Sequence, residues 1–344
     1  MRISRRQACV STLYAYSSLL LASALPGLGC GVVKKVVEPD LLTSLAFGSC
    51  NKQEMLTKHW PIIKNKNAQG WLWMGDAIYA DGLYPNFREK EYQKVLADEG
   101  YQALISSSFV MGTWDDHDYA ANDSGREYAE KVDTQKVFLD FIGEDKDSPR
   151  RLQKGIYTSK LMGKEANQIQ FILLDMRYFK EASGPSADPL GKDQWGWLEN
   201  EIKRSGPAMK VVVSSIQVLT DFTGKDTWAC YPEAQTRFLN LLSTSPVPVT
   251  LLSGDRHLTE TSRREVASGR IIHEVTSSGI THTTDMKNGN PFRVQVQINE
   301  TNFGVLNFGW DSSAKPILQS LKSSVFSPQT GTLLRDFDIP LSWT

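Results

Sequence analysis

An α/β fold, made of two mixed sheets flanked by helices, is predicted by three features of this 344-residue chain. Short apolar runs alternate with segments of helical spacing from Leu42 to Val275. Past Thr276 strands dominate, which favours a pair of mixed sheets over a plain doubly wound one. Four of the apolar runs end in metal-seeking side chains, at Cys50, Asp76, Asp115 and Asp255. Open α/β sheets build their ligand sites at such strand carboxyl ends.

Taken in order, Leu42 to Phe47 reads as the first buried strand, and Gln53 to Asn65 as helical, limited by Pro61. Trp71 to Gly75 is a strand, Phe87 to Ser106 one or two helices, and Phe109 to Thr113 a strand. Tyr128, Val132, Val137, Phe138 and Phe141 recur near helical spacing, so Arg126 to Ile142 is a helix. Gln170 to Leu174 is a strand, GPSADPLG from Gly184 to Gly191 a surface loop, and Lys192 to Ser205 a helix stopped at Gly206-Pro207. Lys210 to Ser214 is a strand; Pro232 to Ser243 is a helix with Glu233 favouring its dipole. Val249 to Leu252 and Ile271 to Val275 complete the alternating part. Phe292 to Ile298 alternates apolar and polar and reads as a half-buried strand, followed by strands at Phe303 to Trp310 and Pro316 to Leu321.

The composition, 40% hydrophobic and 22% charged, is that of a folded chain able to bury a sizeable core. A net charge of −1 gives no broad basic field for nucleic acid. Residues 1–30 have the layout of an export signal: Arg2, Arg5 and Arg6, an apolar stretch from Val10 to Leu25, then a small-residue end. Ser4-Arg5-Arg6 resembles a twin-arginine signal, and Gly29-Cys30 suggests lipoprotein processing, with an uncleaved anchor as the plain alternative. The expected locations are periplasmic, cell-surface or secreted, with membrane association through the signal or a lipid. The functional domain is then 42–344. Four cysteines make no disulfide framework; Cys50 and Cys230 invite one bridge, although Cys50 sits better as a ligand at a strand end.

Gly75 before Asp76 lets the backbone turn sharply as the strand ends, and the two oxygens of Asp76 can bridge two cations. Tyr79 is close enough to return to the same place, or is simply core. Thiol and phenol together favour a ferric-type ion over Mg²⁺. Asp115, Asp116, His117 and Asp118 crowd three acids and an imidazole after an apolar strand, which is unfavourable unless a cation or solvent offsets their repulsion. Asn122 adds a neutral oxygen, and His117 is a ligand or a general acid. Asp255 and His257 follow the next strand end. An exposed acidic loop is the bland reading of each.

In series, the GSC at Cys50, the GDxxY at Asp76, the WDDHD with its Asn122, and the SGDRH at Asp255 resemble the PhoD-like alkaline phosphatases of the calcineurin-like metallophosphoesterase superfamily. The resemblance spans roughly Ser44 to Trp310. It implies a four-layer α/β/β/α sandwich and hydrolysis of phosphate mono- or diesters at a centre of ferric ion (Fe3+) and calcium (Ca2+). By position, Cys50, Asp76, Tyr79 and His257 would hold iron, and Asp76, Asp115, Asn122 and Asp255 calcium. His117, with Asp116 near it, would face the phosphate and its leaving oxygen. Two departures stand out: no β-domain precedes Cys50, and Asp118 replaces a usual Glu.

Elsewhere, His282 is a candidate substrate contact and Asn302 a turn-former beside the site. Asp175 and Arg177 read as an internal ion pair, Trp228, Cys230 and Tyr231 as a pocket rim, and His59 and His273 as structural. The expected partner is a small phosphate ester. The rival class is an exported metal-binding envelope protein that kept the scaffold without turnover. A Ser or Cys nucleophile ranks low, because no G-x-S-x-G occurs.

Overall fold

Apolar residues at every second position, on strands buried from both sides, generate three hydrophobic layers. The fold is known from a computed structural model that describes residues 36–55, 59–266, 268–285 and 289–343. Residues 1–30, where an export signal is expected, lie outside the described residues. Twelve strands form two six-stranded sheets among the described residues. The first holds β1 (Ser44–Gly48), β2 (Gly70–Met74), β3 (Phe109–Thr113), β10 (Phe303–Trp310), β11 (Leu318–Phe326) and β12 (Leu333–Ile339), in the order β12-β11-β10-β1-β2-β3. The second holds β4 (Thr158–Met162), β5 (Ile169–Leu173), β6 (Met209–Ser214), β7 (Val249–Ser253), β8 (Thr259–Glu265) and β9 (Ile271–Ser277), in the order β4-β5-β6-β7-β9-β8. Both are mixed: β1-β2-β3 and β5-β6-β7-β9 run parallel, and the flanking strands antiparallel.

Strand alternation sorts the side chains into layers. Leu72 and Met74 of β2 face the second sheet, where they join Phe171, Leu173, Val211, Val213 and Leu252. Trp71 and Trp73, between them, face the helices α1 (His59–Lys64), α2 (Pro85–Ala97), α3 (Glu99–Ile105) and α5 (Lys131–Phe141). On the far side, Ile172, Val212 and Leu251 pack under α6 (Gly191–Lys203) and α7 (Pro232–Leu242). The result is the four-layer α/β/β/α sandwich. Truncating a fully buried inter-sheet residue such as Leu72 to Ala costs roughly 2–5 kcal/mol.

Several expectations are corrected. Phe292 to Ile298 is not a strand: it touches β8 through two isolated bridges, Thr259 to Ile298 and Ser262 to Arg293, and Val296 faces solvent. Its alternation marks a segment lying along a sheet edge. Phe87 to Ser106, expected as one or two helices, is two and so needs no correction: Asp98 ends α2 and caps α3 by accepting from the Tyr101 amide. Sequence reading missed β4, β8 and β12, which are edge strands with polar faces, and α4 (Asp116–Tyr119), a single turn.

Candidate metal centre

The parallel strands of both sheets deliver their carboxyl ends to one place. Ser49 and Cys50 leave β1, Asp76 leaves β2, Asp115 leaves β3, Ser215 leaves β6, Asp255 and His257 leave β7, and Ser278 leaves β9. Two glycines permit the crowding. A Cβ on Gly75 (φ +101°) would lie 2.5 Å from the Asp115 Cβ, and one on Gly254 would lie 2.7 Å from Ser49 Oγ and 2.8 Å from the Met74 carbonyl. Cys50, Asp76, Asp255 and His257 themselves hold left-handed backbone, with φ of 60°, 51°, 64° and 54°. Each such residue costs of order 1–2 kcal/mol, so this end of the sheets is built against local preference.

The side chains converge. Cys50 Sγ lies 3.4 Å from Asp76 Oδ2 and 3.1 Å from Ser278 Oγ. Tyr79 Oη lies 3.4 Å from Asp76 Oδ2 and 3.1 Å from His257 Nε2. Ligand atoms of Cys50, Asp76 and His257 lie within 4.8 Å of one another, as do those of Asp76, Asp115, Asp116 and Asp255, and of Asp76, Asp116 and His117. Asp76 is common to all three groups. Asp116 therefore stands among the acids, whereas Asn122 is in an exposed turn, with no side-chain hydrogen bond to the cluster among the described residues. That turn is tied to the cluster by its backbone, because the Asp123 amide donates to Asp116 Oδ2 at 2.7 Å.

The cluster is short of positive charge. Among the described residues no donor reaches Asp76 Oδ1, Asp115 Oδ2 or Asp255 Oδ2, although all three atoms are shielded from solvent. Burial, then Cys50 and the neighbouring aspartates, raises the Asp76 pKa far above the carboxylate range. Burial lifts Asp115 to about 7 against the pull of Arg177, and burial with Asp115 and Asp116 lifts Asp255 well above its usual value. Burial and Asp255 push the Cys50 thiol to about 12. Burial, helped by the positive charge of His282, Lys225, His117 and Lys52, lowers His257 to about 3, so its imidazole is neutral and able to ligate. Anions so placed are unfavourable alone and become favourable with cations among them. Thiol, phenol and imidazole on one side and carboxylates on the other suit a soft-to-borderline and a hard cation respectively.

Several contributors escaped sequence reading. Asp81 Oδ1 lies 2.5 Å from His117 Nδ1, which fixes a proton there and leaves Nε2 for other work. Burial lowers the His117 pKa, but Asp81, Asp116 and Asp115 more than reverse it. The Arg177 guanidinium does not pair with the Asp175 carboxylate; its Nε donates to Asp115 Oδ1 at 2.5 Å and its Nη1 to Asp226 Oδ2 at 2.8 Å. Asp175 instead accepts from the Trp114 indole and from the amides of Ile156, Arg177 and Tyr178. With Ser215 Oγ also on Asp115 Oδ1, the free oxygen of Asp115 is selected. Asp118 holds the α4 turn by accepting from the amides of Asp115 and Ile78 and from the Tyr92 hydroxyl.

His282 packs against Tyr79 and His257, with ring centroids 5.1 and 4.3 Å apart, and its Nε2 is shielded, with no hydrogen-bond partner among the described residues. Asn302 backs the turn after β9, bonding Ser277 Oγ and the Ser278 carbonyl. Cys50 and Cys230 are free thiols, so no bridge joins them. Trp228 and Tyr231 are core residues, not a pocket rim: Trp228 stacks on Phe238, and Tyr231 is fully buried. No helix of the described residues is long and apolar enough to cross a membrane.

A family model described as PhoD-like phosphatase matches residues 45–308. No curated protein matches the sequence. Among solved structures the chain is similar to PhoD, with a TM-score of 0.63 and 17% identity over 90% of this chain and 73% of that one. It is also similar to GAP50, the anchor in the inner membrane complex of Plasmodium, at a TM-score of 0.58 and 13% identity over 88% and 90% of the two chains. A dimetal phosphatase from Danio rerio aligns at 0.53 and 12% identity, over 88% of this chain and 100% of that one. At such identities the likeness is one of fold.

Proposed function

The chain belongs to the PhoD-like phosphatase family, metal-dependent phosphoester hydrolases, and on that premise we propose that it hydrolyses phosphate mono- or diesters at a dinuclear Fe3+ and Ca2+ centre. The observation that carries this reading is the position of Asp76 in all three ligand groups, as a bridging carboxylate requires. Cys50, Tyr79 and His257 would hold the ferric ion with Asp76. Asp115, Asp255 and Asp116 would hold calcium, with the Asn122 turn completing its rim. The orphaned oxygens of Asp76, Asp115 and Asp255 support a cation at each position. When bound, the cations supply Lewis acidity and charge neutralisation for in-line attack of water on phosphorus.

The protein's own groups then divide the remaining work. His117, held at Nδ1 by Asp81, presents Nε2 to the leaving oxygen and gives it a proton. His282 Nε2 is free to bond a phosphoryl oxygen. Arg177 and Ser215 keep one oxygen of Asp115 turned to the centre. Export through residues 1–30 would deliver the enzyme to extracytoplasmic phosphate esters.

A metal-holding scaffold without turnover is the competing reading, and one experiment separates the two. Protein purified with its native metals is analysed for iron and calcium and assayed on aryl phosphate mono- and diesters. Equal residual turnover in wild type and Asp76→Ala would sink the enzyme reading.

A further inference from the structure

A groove of about 450 Å³ is walled by the loop before α5 and the loop between β5 and α6. Arg126, Lys131, Lys154 and Lys192 line it, around the rings of Tyr178 and Phe179. In a chain of net charge −1, four cations around one groove are a local concentration. The two acids of the groove are already occupied. Glu181 takes Arg126 and the Asp188 amide, and Asp188 Oδ1 takes the Leu190 amide and the Trp195 indole. The Lys131 ammonium lies over the Tyr178 ring, 4.8 Å from its centroid, and donates to the Arg126 and Tyr178 carbonyls. Lys154 and Lys192 are exposed and make no ion pair among the described residues. Burial holds the Lys131 pKa down; Glu127 and Asp175 oppose this, and the like charges of Lys154 and Arg126 add to it. An anion entering here relieves that repulsion.

The groove is wired to the metal cluster. Lys180, between two groove residues, points away from it to pair with Asp226 at 3.0 Å and to donate to the Asp123 carbonyl at 2.5 Å. The Asp123 amide holds Asp116 at 2.7 Å, and the Arg126 amide donates to the Lys180 carbonyl at 2.9 Å. From Asp123 to Arg126 the chain reaches at most about 10 Å. That short link between an Asp116 contact and a groove residue sets the distance that a substrate joining the two would have to cover.

We propose that this groove binds a second anionic group of the substrate, so that the preferred substrates are phosphate esters whose alcohol portion carries another phosphate. The proposal rests on the phosphoesterase reading of the neighbouring centre. It is tested on the metal-loaded enzyme with α,ω-alkanediol bisphosphates of increasing length against the matching alkyl monophosphates, in wild type and in the double variant Lys154→Glu/Lys192→Glu. Expected is a bisphosphate preference in kcat/KM of about tenfold that the variant loses and that added salt erodes. Calorimetric binding of a non-hydrolysable alkanediol bisphosphonate is the deciding measurement, because it needs no turnover. The variant should bind it about tenfold more weakly while binding the monophosphonate nearly as wild type does. Equal bisphosphonate affinity in the two proteins overturns the groove, and so does an equal loss for the monophosphonate, which would mark only the distant field of two lysines. Absence of turnover in a protein that still shows the calorimetric difference would count against the enzyme reading alone.

Discussion

Two clusters of buried acids sit on this sandwich, and they are finished differently. At the β8 and β9 edge, Glu274 accepts from the amides of Val218 and Leu219 at 2.8 and 2.6 Å. Its neighbour Glu260 accepts from Gln217, Asn290 and Arg293 at 2.5, 2.6 and 2.5 Å. At the strand ends, Asp76, Asp115 and Asp255 each keep one shielded oxygen with no donor among the described residues. The first cluster is closed by the protein's own donors and ties the loop after β6 to the sheet. The second is closed only when cations enter. Burial alone therefore says little about role; the count of donors on each oxygen separates an acid that holds the chain from one that holds a metal.

That contrast can be broken most forcefully at Asp76. Asp76→Ala should lower kcat/KM at least a thousandfold, about 4 kcal/mol, with bound metal falling in parallel in elemental analysis. In metal-free protein the same cluster should show the opposite sign for stability. Burial raises the Asp76 pKa, so its charge disfavours the folded state near neutral pH, and Asp76→Asn should raise the urea midpoint. Glu274→Ala should do the reverse, losing on the order of 3 kcal/mol in urea unfolding by stranding two amides, with metal content unchanged. If both acids change stability in the same direction, the distinction fails.

A finer test separates ligands from the group left for chemistry. His117→Ala should cost about a hundredfold on alkyl esters and much less on nitrophenyl esters, whose leaving oxygen needs no proton. Asp81→Asn should show the same leaving-group pattern more weakly, since it acts through His117. The smallest effect lies outside both clusters. Burial lowers His59 from 6.5 to about 4, only partly opposed by Asp98. A folded pKa below the unfolded one means that its contribution is complete above about 6.5 and is lost as pH falls through about 4. His59→Gln should flatten that acid loss by roughly 2 kcal/mol, read from urea titrations of metal-free protein at both ends of the window.

The sheet ends were legible because a short apolar run, cut off by Gly75-Asp76 or Gly254-Asp255, is a local pattern. The ligands those strands carry follow directly from it. What escaped is what comes from far along the chain. Asp81 is an exposed loop residue until His117 is folded beside it, and Arg177 looks like a partner for Asp175 until the two sheets close. The segment Phe292 to Ile298 misled because alternation reports a half-buried line, whether or not a ladder of hydrogen bonds runs along it. Edge strands β4, β8 and β12 were hidden by the opposite effect, since polar faces dilute the alternation.

The left-handed backbone at Cys50, Asp76, Asp255 and His257 has an evolutionary corollary. At those four positions glycine is the conformationally easy residue, and the ligand persists only while a cation rewards it. A descendant released from metal binding would gain stability by drifting to glycine there first. Glycines at these positions would thus be the fossil imprint of a lost centre, and would distinguish a retired scaffold from a working one in any related chain.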